Sequence, residues 1–234
     1  MSEKIQLFCI PYAGGTANAF NGLAKALGDD VLVSAIEYSG HGTRKAGAFY
    51  QDFAELAADV QEEIKKVRRP ELPYAIFGYS MGSVAVYELL WRFLSEDQPQ
   101  HIFLAAHEAP DVEWESKEYA AYDDEHFMDM LIGFGGFEES DRQMLGNRFF
   151  RRLFFQPIRE DYRLLAEYKM QEYHPLPVDA TMFYSPLDIP TEQIETWKRF
   201  AGREIEFVPL GKNHFFIREH ADEMAEIMRR KMGL

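Results

Sequence analysis

Cysteine is nearly missing from this chain: Cys9 is the only one in 234 residues. A disulfide framework and a thiolate metal site are both excluded, since each needs several thiols, and a cytoplasmic location is expected. Cys9 lies in the middle of an apolar run and reads as a small buried filler, not a nucleophile. Long apolar stretches are missing as well; none is long enough to span a bilayer. Met1-Ser2-Glu3-Lys4 runs straight into a strand pattern with no charged-then-apolar leader, so no secretory signal is expected. Positive charge is scarce, with 25 Lys and Arg against 39 Asp and Glu and a net charge of −14. That balance argues against nucleic acid, which demands concentrated positive charge, and against stable association with anionic membrane. Internal repeats and low-complexity tracts are absent too.

What is present is an alternation of short apolar runs and amphipathic segments. Ile5 to Ile10 reads as a buried strand closed by Pro11-Tyr12-Ala13-Gly14-Gly15. A helix follows from Asn18 to Leu27, with Gly28 as its stop. Val31 to Glu37 is the next strand, ending in Tyr38-Ser39-Gly40-His41-Gly42-Thr43-Arg44. In the long segment Phe49 to Val67, Phe53, Leu56, Ala57, Val60 and Ile64 recur at helical spacing. Strands are expected over Tyr74 to Phe77, His101 to Ala106, Thr181 to Ser185 and Glu204 to Val208. Helices are expected over Ser83 to Leu94, Glu192 to Phe200 and Ala221 to Lys231. Strands alternating with helices give an open, mostly parallel sheet covered on both faces, and 234 residues suit a single α/β domain.

Residues 109–177 break the alternation. They carry helical patterns without a strand and hold two aromatic clusters, one around Phe127, Phe134 and Phe137 and one at Phe149, Phe150, Phe154 and Phe155. Placed after a core strand, such a helical insertion is expected to form a lid within the single domain of residues 1–234.

The chemistry is carried by Gly78-Tyr79-Ser80-Met81-Gly82. A strand leads into this G-x-S-x-G and a helix follows it, the context of a nucleophile elbow. The turn is so tight that its flanking positions must nearly lack side chains. Ser80 then stands above the sheet edge beside the first helical N–H groups. A serine hydroxyl needs an imidazole to take its proton, and the imidazole needs a carboxylate to fix its tautomer. In elbow enzymes these follow the serine in the order acid, then histidine. His214 has the right chain position, in the loop after the last strand. The other six histidines, among them His41, His101 and His107, read as surface or satisfied core residues. Asp188, just past the penultimate strand, is the expected acid, and Glu108 is its rival. An oxyanion needs two aligned backbone N–H groups. Met81 is expected to supply one and Ala13 the other, with Tyr12 as the alternative to Ala13. Gly14-Gly15 lacks the spacing and the lysine of a phosphate loop.

Pro11-Tyr12-Ala13-Gly14-Gly15, the elbow with Met81, the acid at Asp188 and the histidine followed by Phe215-Phe216 together resemble the type II (external, editing) thioesterases, α/β-hydrolases that work beside nonribosomal peptide and polyketide synthetases. Asp123-Asp124-Glu125-His126-Phe127, Phe134-Gly135-Gly136 and Gln156-Pro157-Ile158-Arg159-Glu160-Asp161-Tyr162 are similar to that family's lid segments. The resemblance spans nearly the whole chain. Three positions depart from it: Tyr79 stands where the family usually has histidine, Ser39 where a proline usually precedes the glycine, and Ser185-Pro186-Leu187 where the segment usually begins with glycine.

The resemblance implies an α/β-hydrolase fold and a substrate acyl or aminoacyl group held as a thioester on the phosphopantetheine arm of a carrier protein. It implies no metal or organic cofactor, since the arm belongs to the substrate. Arg142, Arg148, Arg151, Arg152 and Arg159 fall in a stretch without acidic residues, and part of it is expected to meet the carrier protein or its phosphate. Two other functions fit parts of the pattern: a carboxylesterase or lipase acting on oxygen esters, and a non-catalytic hydrolase-fold binding protein, which predicts a broken triad. A dedicated chain-terminating thioesterase is disfavoured, because the chain reads as a free-standing domain with no carrier module.

Overall fold

Successive side chains of a strand leave a sheet on opposite faces, and here both faces are covered. In β1 (Ile5–Ile10) all six residues are buried. Phe8 and Ile10 enter one apolar core, while Leu7 and Cys9 enter another across the sheet. The computed structural model describes residues 4–94, 96–112 and 116–234. Met1, Ser2 and Glu3, read above for a leader, lie outside the described residues, as does the 113–115 part of the expected lid.

The remaining strands are β2 (Val31–Ala35), β3 (Tyr74–Tyr79), β4 (Ile102–Ala105), β5 (Ala180–Tyr184) and β6 (Ile205–Pro209). They form one six-stranded sheet in the order β2-β1-β3-β4-β5-β6. Every pairing is parallel, with registers such as Phe8↔Ile76, Phe77↔Phe103 and Phe183↔Val208. Parallel order puts the carboxyl ends of all six strands along one edge, where the loops that carry chemistry gather. The order reverses direction at β1, so the loops after β1 and β3 lie side by side at that edge.

Five helices pack on the two faces or cross the edge: α1 (Asn21–Leu27), α2 (Phe53–Val67), α3 (Met81–Phe93), α4 (Ser116–Ala121) and α5 (Asp124–Gly133). Two more follow, α6 (Gln156–Glu167) and α7 (Ala221–Lys231). α2 begins at Phe53, later than the periodicity suggests, because Asp52 caps it. The Asp52 side chain accepts the Glu55 N–H at 2.8 Å, and Glu55 reaches back to the Gln51 N–H at 2.7 Å. The segment expected as one helix from Glu192 to Phe200 is a single α turn over Thr191–Ile194 that tightens into a 3₁₀ run over Glu195–Phe200.

Between β4 and β5 the described residues hold helical elements and no strand. After α5 come a 3₁₀ run over Glu139–Gly146, a π turn over Arg151–Phe155, and then α6. Phe127, Met128, Leu131, Leu145, Phe155 and Ile158 form an apolar cluster separate from the two cores against the sheet. Full burial of a side chain of this size stabilises by about 1.5–3 kcal/mol, so this region carries its own packing energy.

Candidate active site

The elbow is built by steric exclusion. Ser80 has φ +53° and ψ −119°, a conformation that an L residue holds only when its surroundings enforce it. A Cβ on Gly78 would lie 2.3 Å from the Gly82 carbonyl oxygen, and one on Gly82 would lie 2.2 Å from that of Ile10. Only glycine lets strand, turn and helix approach this closely. The Ser80 N–H donates to Ala105 O at 2.7 Å, and the buried Ser83 hydroxyl accepts the Ala105 N–H at 3.1 Å. The strain is therefore held by the neighbouring strand.

Three side chains from three loops converge at this turn. His214 Nδ1 lies 2.7 Å from Asp188 Oδ2, and His214 Nε2 lies 3.0 Å from Ser80 Oγ. The carboxylate accepts, so Nδ1 carries the proton, and Nε2 is left to accept the serine hydroxyl. Asp188 and Ser80 are buried, and the imidazole is mostly so. Asp188 sits in a turn in which its N–H, and that of Ile189, donate to Ser185 O at 3.1 and 3.0 Å. Glu108, the rival acid, also reaches the strand edge, but its carboxylate lies 3.7 Å from His107 Nδ1 and makes no bond to His214. Burial lowers the His107 pKa, against the raising effect of Glu108.

Tyr79, one of the three departures from the family pattern, holds the histidine loop. Its buried hydroxyl donates to His214 O at 2.7 Å and accepts the Ile217 N–H at 3.5 Å. Burial pushes the phenol well above its ordinary pKa, so it stays a donor. The ring also stands edge-on to His214, at 6.3 Å between centroids.

Across the cleft lies Pro11-Tyr12-Ala13-Gly14. The Gly14 and Gly15 N–H groups are taken, by Asp161 Oδ2 at 2.7 Å and Tyr12 O at 2.8 Å. Those of Ala13 and Met81 donate to no other group among the described residues. Two clefts meet at Ser80 and His214. One, of about 670 Å³, is lined by the Ala13 loop and by apolar side chains including Leu131, Phe137, Ile158 and Phe215. The other, of about 1210 Å³, is more polar and includes His107, Glu108, Asp188 and Gln193. Phe134 and Tyr162 line both, and the Phe134 ring lies over His214 at 5.6 Å.

The basic stretch is less available than its sequence suggests. Arg142 pairs with Glu125, Asp129 and Glu139, and Arg151 and Arg159 both pair with Asp124. Glu139 is three residues from Arg142, but Asp124, Glu125 and Asp129 lie on α5, distant in the chain. Arg148 and Arg152 are exposed beside Phe149 and Phe154, which are 75% and 56% exposed.

A nucleophile and a base oriented by a carboxylate at one cleft, with two neighbouring N–H groups that have no other partner among the described residues, are what acyl transfer through a covalent intermediate requires. The thioesterase domain family matches residues 5–232. The gramicidin S biosynthesis protein GrsT of Aneurinibacillus migulanus is 28% identical, over 100% of this chain and 91% of its own. The solved thioesterase RedJ, from the prodiginine biosynthetic pathway of Streptomyces coelicolor, is 28% identical with a TM-score of 0.85, covering 98% of this chain and 86% of RedJ. BorB, a type II thioesterase from the borrelidin biosynthetic cluster, is 24% identical and shares the fold, with a TM-score of 0.85 over 99% of this chain and 95% of its own. These relatives bear out the α/β-hydrolase fold and the resemblance to type II thioesterases. The chain belongs to the thioesterase family and is a serine hydrolase that acts on thioesters.

Proposed function

We propose that this protein hydrolyses acyl or aminoacyl groups from the phosphopantetheine arm of carrier-protein domains, as an editing enzyme beside a nonribosomal peptide or polyketide synthetase. The observation that carries the reading is the unbroken hydrogen-bonded line from Asp188 through His214 to Ser80, in a chain of this family. In this reading Ser80 Oγ attacks the thioester carbonyl carbon as His214 Nε2 takes the hydroxyl proton. Asp188 steadies the imidazolium. The tetrahedral oxyanion rests on the Met81 and Ala13 N–H groups. The C–S bond breaks, and the thiolate takes the proton back from Nε2. Water, deprotonated by His214, then attacks the acyl-serine; the bond from the acyl carbon to Ser80 Oγ breaks, Oγ takes the proton from Nε2, and the acid leaves. A thiol with a pKa of about 8.5 is a good leaving group, so loose selectivity for the acyl part is tolerable.

The helices of residues 109–177 act as the lid of a single domain spanning residues 1–234. No cofactor is required, because the arm arrives with the substrate. Among the described residues no helix is long and apolar enough to cross a membrane, and we place the enzyme in the cytoplasm, where such synthetases operate. A panel of acyl-phosphopantetheinyl carrier proteins, acyl-CoA thioesters and matched oxygen esters tests the reading. Carrier-bound thioesters are expected to turn over fastest. Preference for oxygen esters would replace the proposal with a carboxylesterase, and inertness to all of them would leave a binding protein.

A further inference from the structure

His41 and Asp161 form a buried pair that the triad does not use. His41 is 2% exposed and Asp161 1%. His41 lies in the loop after β2 and Asp161 on α6, 120 residues apart, yet Nε2 and Oδ2 approach to 2.9 Å. His41 Nδ1 lies 3.0 Å from Ser39 O. Both ring nitrogens thus face acceptor oxygens, the pattern of an imidazolium against a carboxylate. Burial alone would depress the imidazole pKa, but the Asp161 charge and hydrogen bond outweigh it and hold the value above the ordinary one.

The same Asp161 oxygen also accepts the Gly14 N–H at 2.7 Å. One helical turn earlier, Ile158 presses on that residue, since a Cβ on Gly14 would lie 2.1 Å from Ile158 Cγ1. Gly14 has φ +73°, so the chain turns away there under the helix. At the other end of the segment, the buried Tyr38 hydroxyl donates to Pro11 O at 2.8 Å. The peptide run Pro11-Tyr12-Ala13-Gly14 is therefore clamped at both ends by the loop after β2, directly at Pro11 and through Asp161 at Gly14. Ala13, whose N–H makes no hydrogen bond among the described residues, lies between the clamps.

We infer that Asp161 is a positioning residue: its carboxylate, locked by His41, fixes the Ala13 N–H for the oxyanion and makes that donor competent only when α6 is seated. Resting on the thioesterase reading above, this ties the helical insertion to the chemical step as well as to substrate access. A hydrogen-bond donor must be held at about 2.7–3.1 Å from the oxyanion to act, so a small displacement of this loop lowers the rate without altering the triad.

The test uses Asp161→Asn, which keeps the size and one acceptor oxygen, beside Asp161→Ala and His41→Gln in the full chain. The probe is a short acyl thioester of N-acetylcysteamine, and a fluorophosphonate reports nucleophile reactivity separately. Loss of one oxyanion donor costs roughly 10²–10³-fold in kcat, so a loosened donor is expected to cost about 10–100-fold in Asp161→Ala. Asp161→Asn should fall between it and wild type, with KM changed less than about threefold and fluorophosphonate labelling of Ser80 slowed in parallel. Wild-type kcat in a folded Asp161→Asn, or a loss confined to KM, overturns the inference. If Asp161→Ala does not fold, Asp161→Asn and His41→Gln decide alone. A wild-type enzyme inert to thioesters, or a Ser80→Ala variant that still turns them over, would instead sink the thioesterase reading of this site.

Discussion

The Tyr79 hydroxyl donates to the main-chain carbonyl of His214 at 2.7 Å, so the residue just before the nucleophile holds the loop that carries the base. One rigid side chain thereby sets the distance between two loops that are 135 residues apart. Tyr79→Phe keeps the ring and removes only this tether. A hydrogen bond of this kind contributes about 0.5–1.5 kcal/mol net. The variant is expected to lose about that much stability, read by urea unfolding, and to lower kcat roughly 3–10-fold with little change in KM. Undiminished kcat would show that the histidine loop is held by its remaining contacts alone.

Asp188 bonds His214 Nδ1 at 2.7 Å, whereas Glu108 lies beside His107. Asp188→Asn should keep its fold but leave His214 in the wrong tautomer, lowering kcat by roughly 10⁴-fold, as the equivalent change does in a serine protease. Glu108→Gln should stay within about threefold of wild type. Steady-state rates on one thioester, with circular dichroism to check folding, decide the matter; a reversed pattern moves the acid.

The His41–Asp161 pair makes a prediction in pH. The groups facing His41 are the carboxylates of Asp161 and Glu37 and the phenol of Tyr38. The folded pKa of His41 lies above the value of about 6.5 expected of the unfolded chain. Its stabilisation is therefore fully present below pH of about 6.5 and is lost as pH rises through the folded value. The gap in urea midpoint between wild type and His41→Gln should be widest near pH 6 and shrink toward pH 9. A gap that does not change with pH would mean that the imidazole is neutral.

Phe134 lines both clefts, and its ring lies over His214. Phe134→Ala widens the space where they meet and should admit longer acyl groups. The ratio of kcat/KM for decanoyl over acetyl thioesters is expected to rise at least roughly 10-fold, since even one methylene in an apolar pocket changes discrimination by about 10–200-fold. An unchanged ratio would place the acyl chain elsewhere.

Much of this was legible in the sequence, because the signals were local. All six strands and the boundaries of α7 follow from apolar runs and periodicity. Strand, G-x-S-x-G and helix carry the elbow, and the order acid then histidine picks out Asp188 and His214 as the residues that the fold brings to Ser80. The rest depends on long-range partners. His41 reads as an ordinary histidine until α6 supplies Asp161, though one trace was there: Asp161 interrupts an apolar face with Ile158 and Leu165 at helical spacing. Tyr79 sits between Gly78 and Ser80 with no pattern of its own, and only the tertiary approach of the His214 loop gives its hydroxyl a partner. The arginines of residues 142–159 look unopposed because Asp124, Glu125 and Asp129 are distant in the chain and close in space.

The most direct test is to catch the covalent intermediate. Intact-protein and peptide mass spectrometry after rapid quench of wild type with an acyl thioester should find the acyl group on Ser80. The adduct should be absent in Ser80→Ala and form at least about 10³-fold more slowly in His214→Ala. Thioester hydrolysis that continues in Ser80→Ala at the wild-type rate, with no acyl group on residue 80 at any time, would contradict the account.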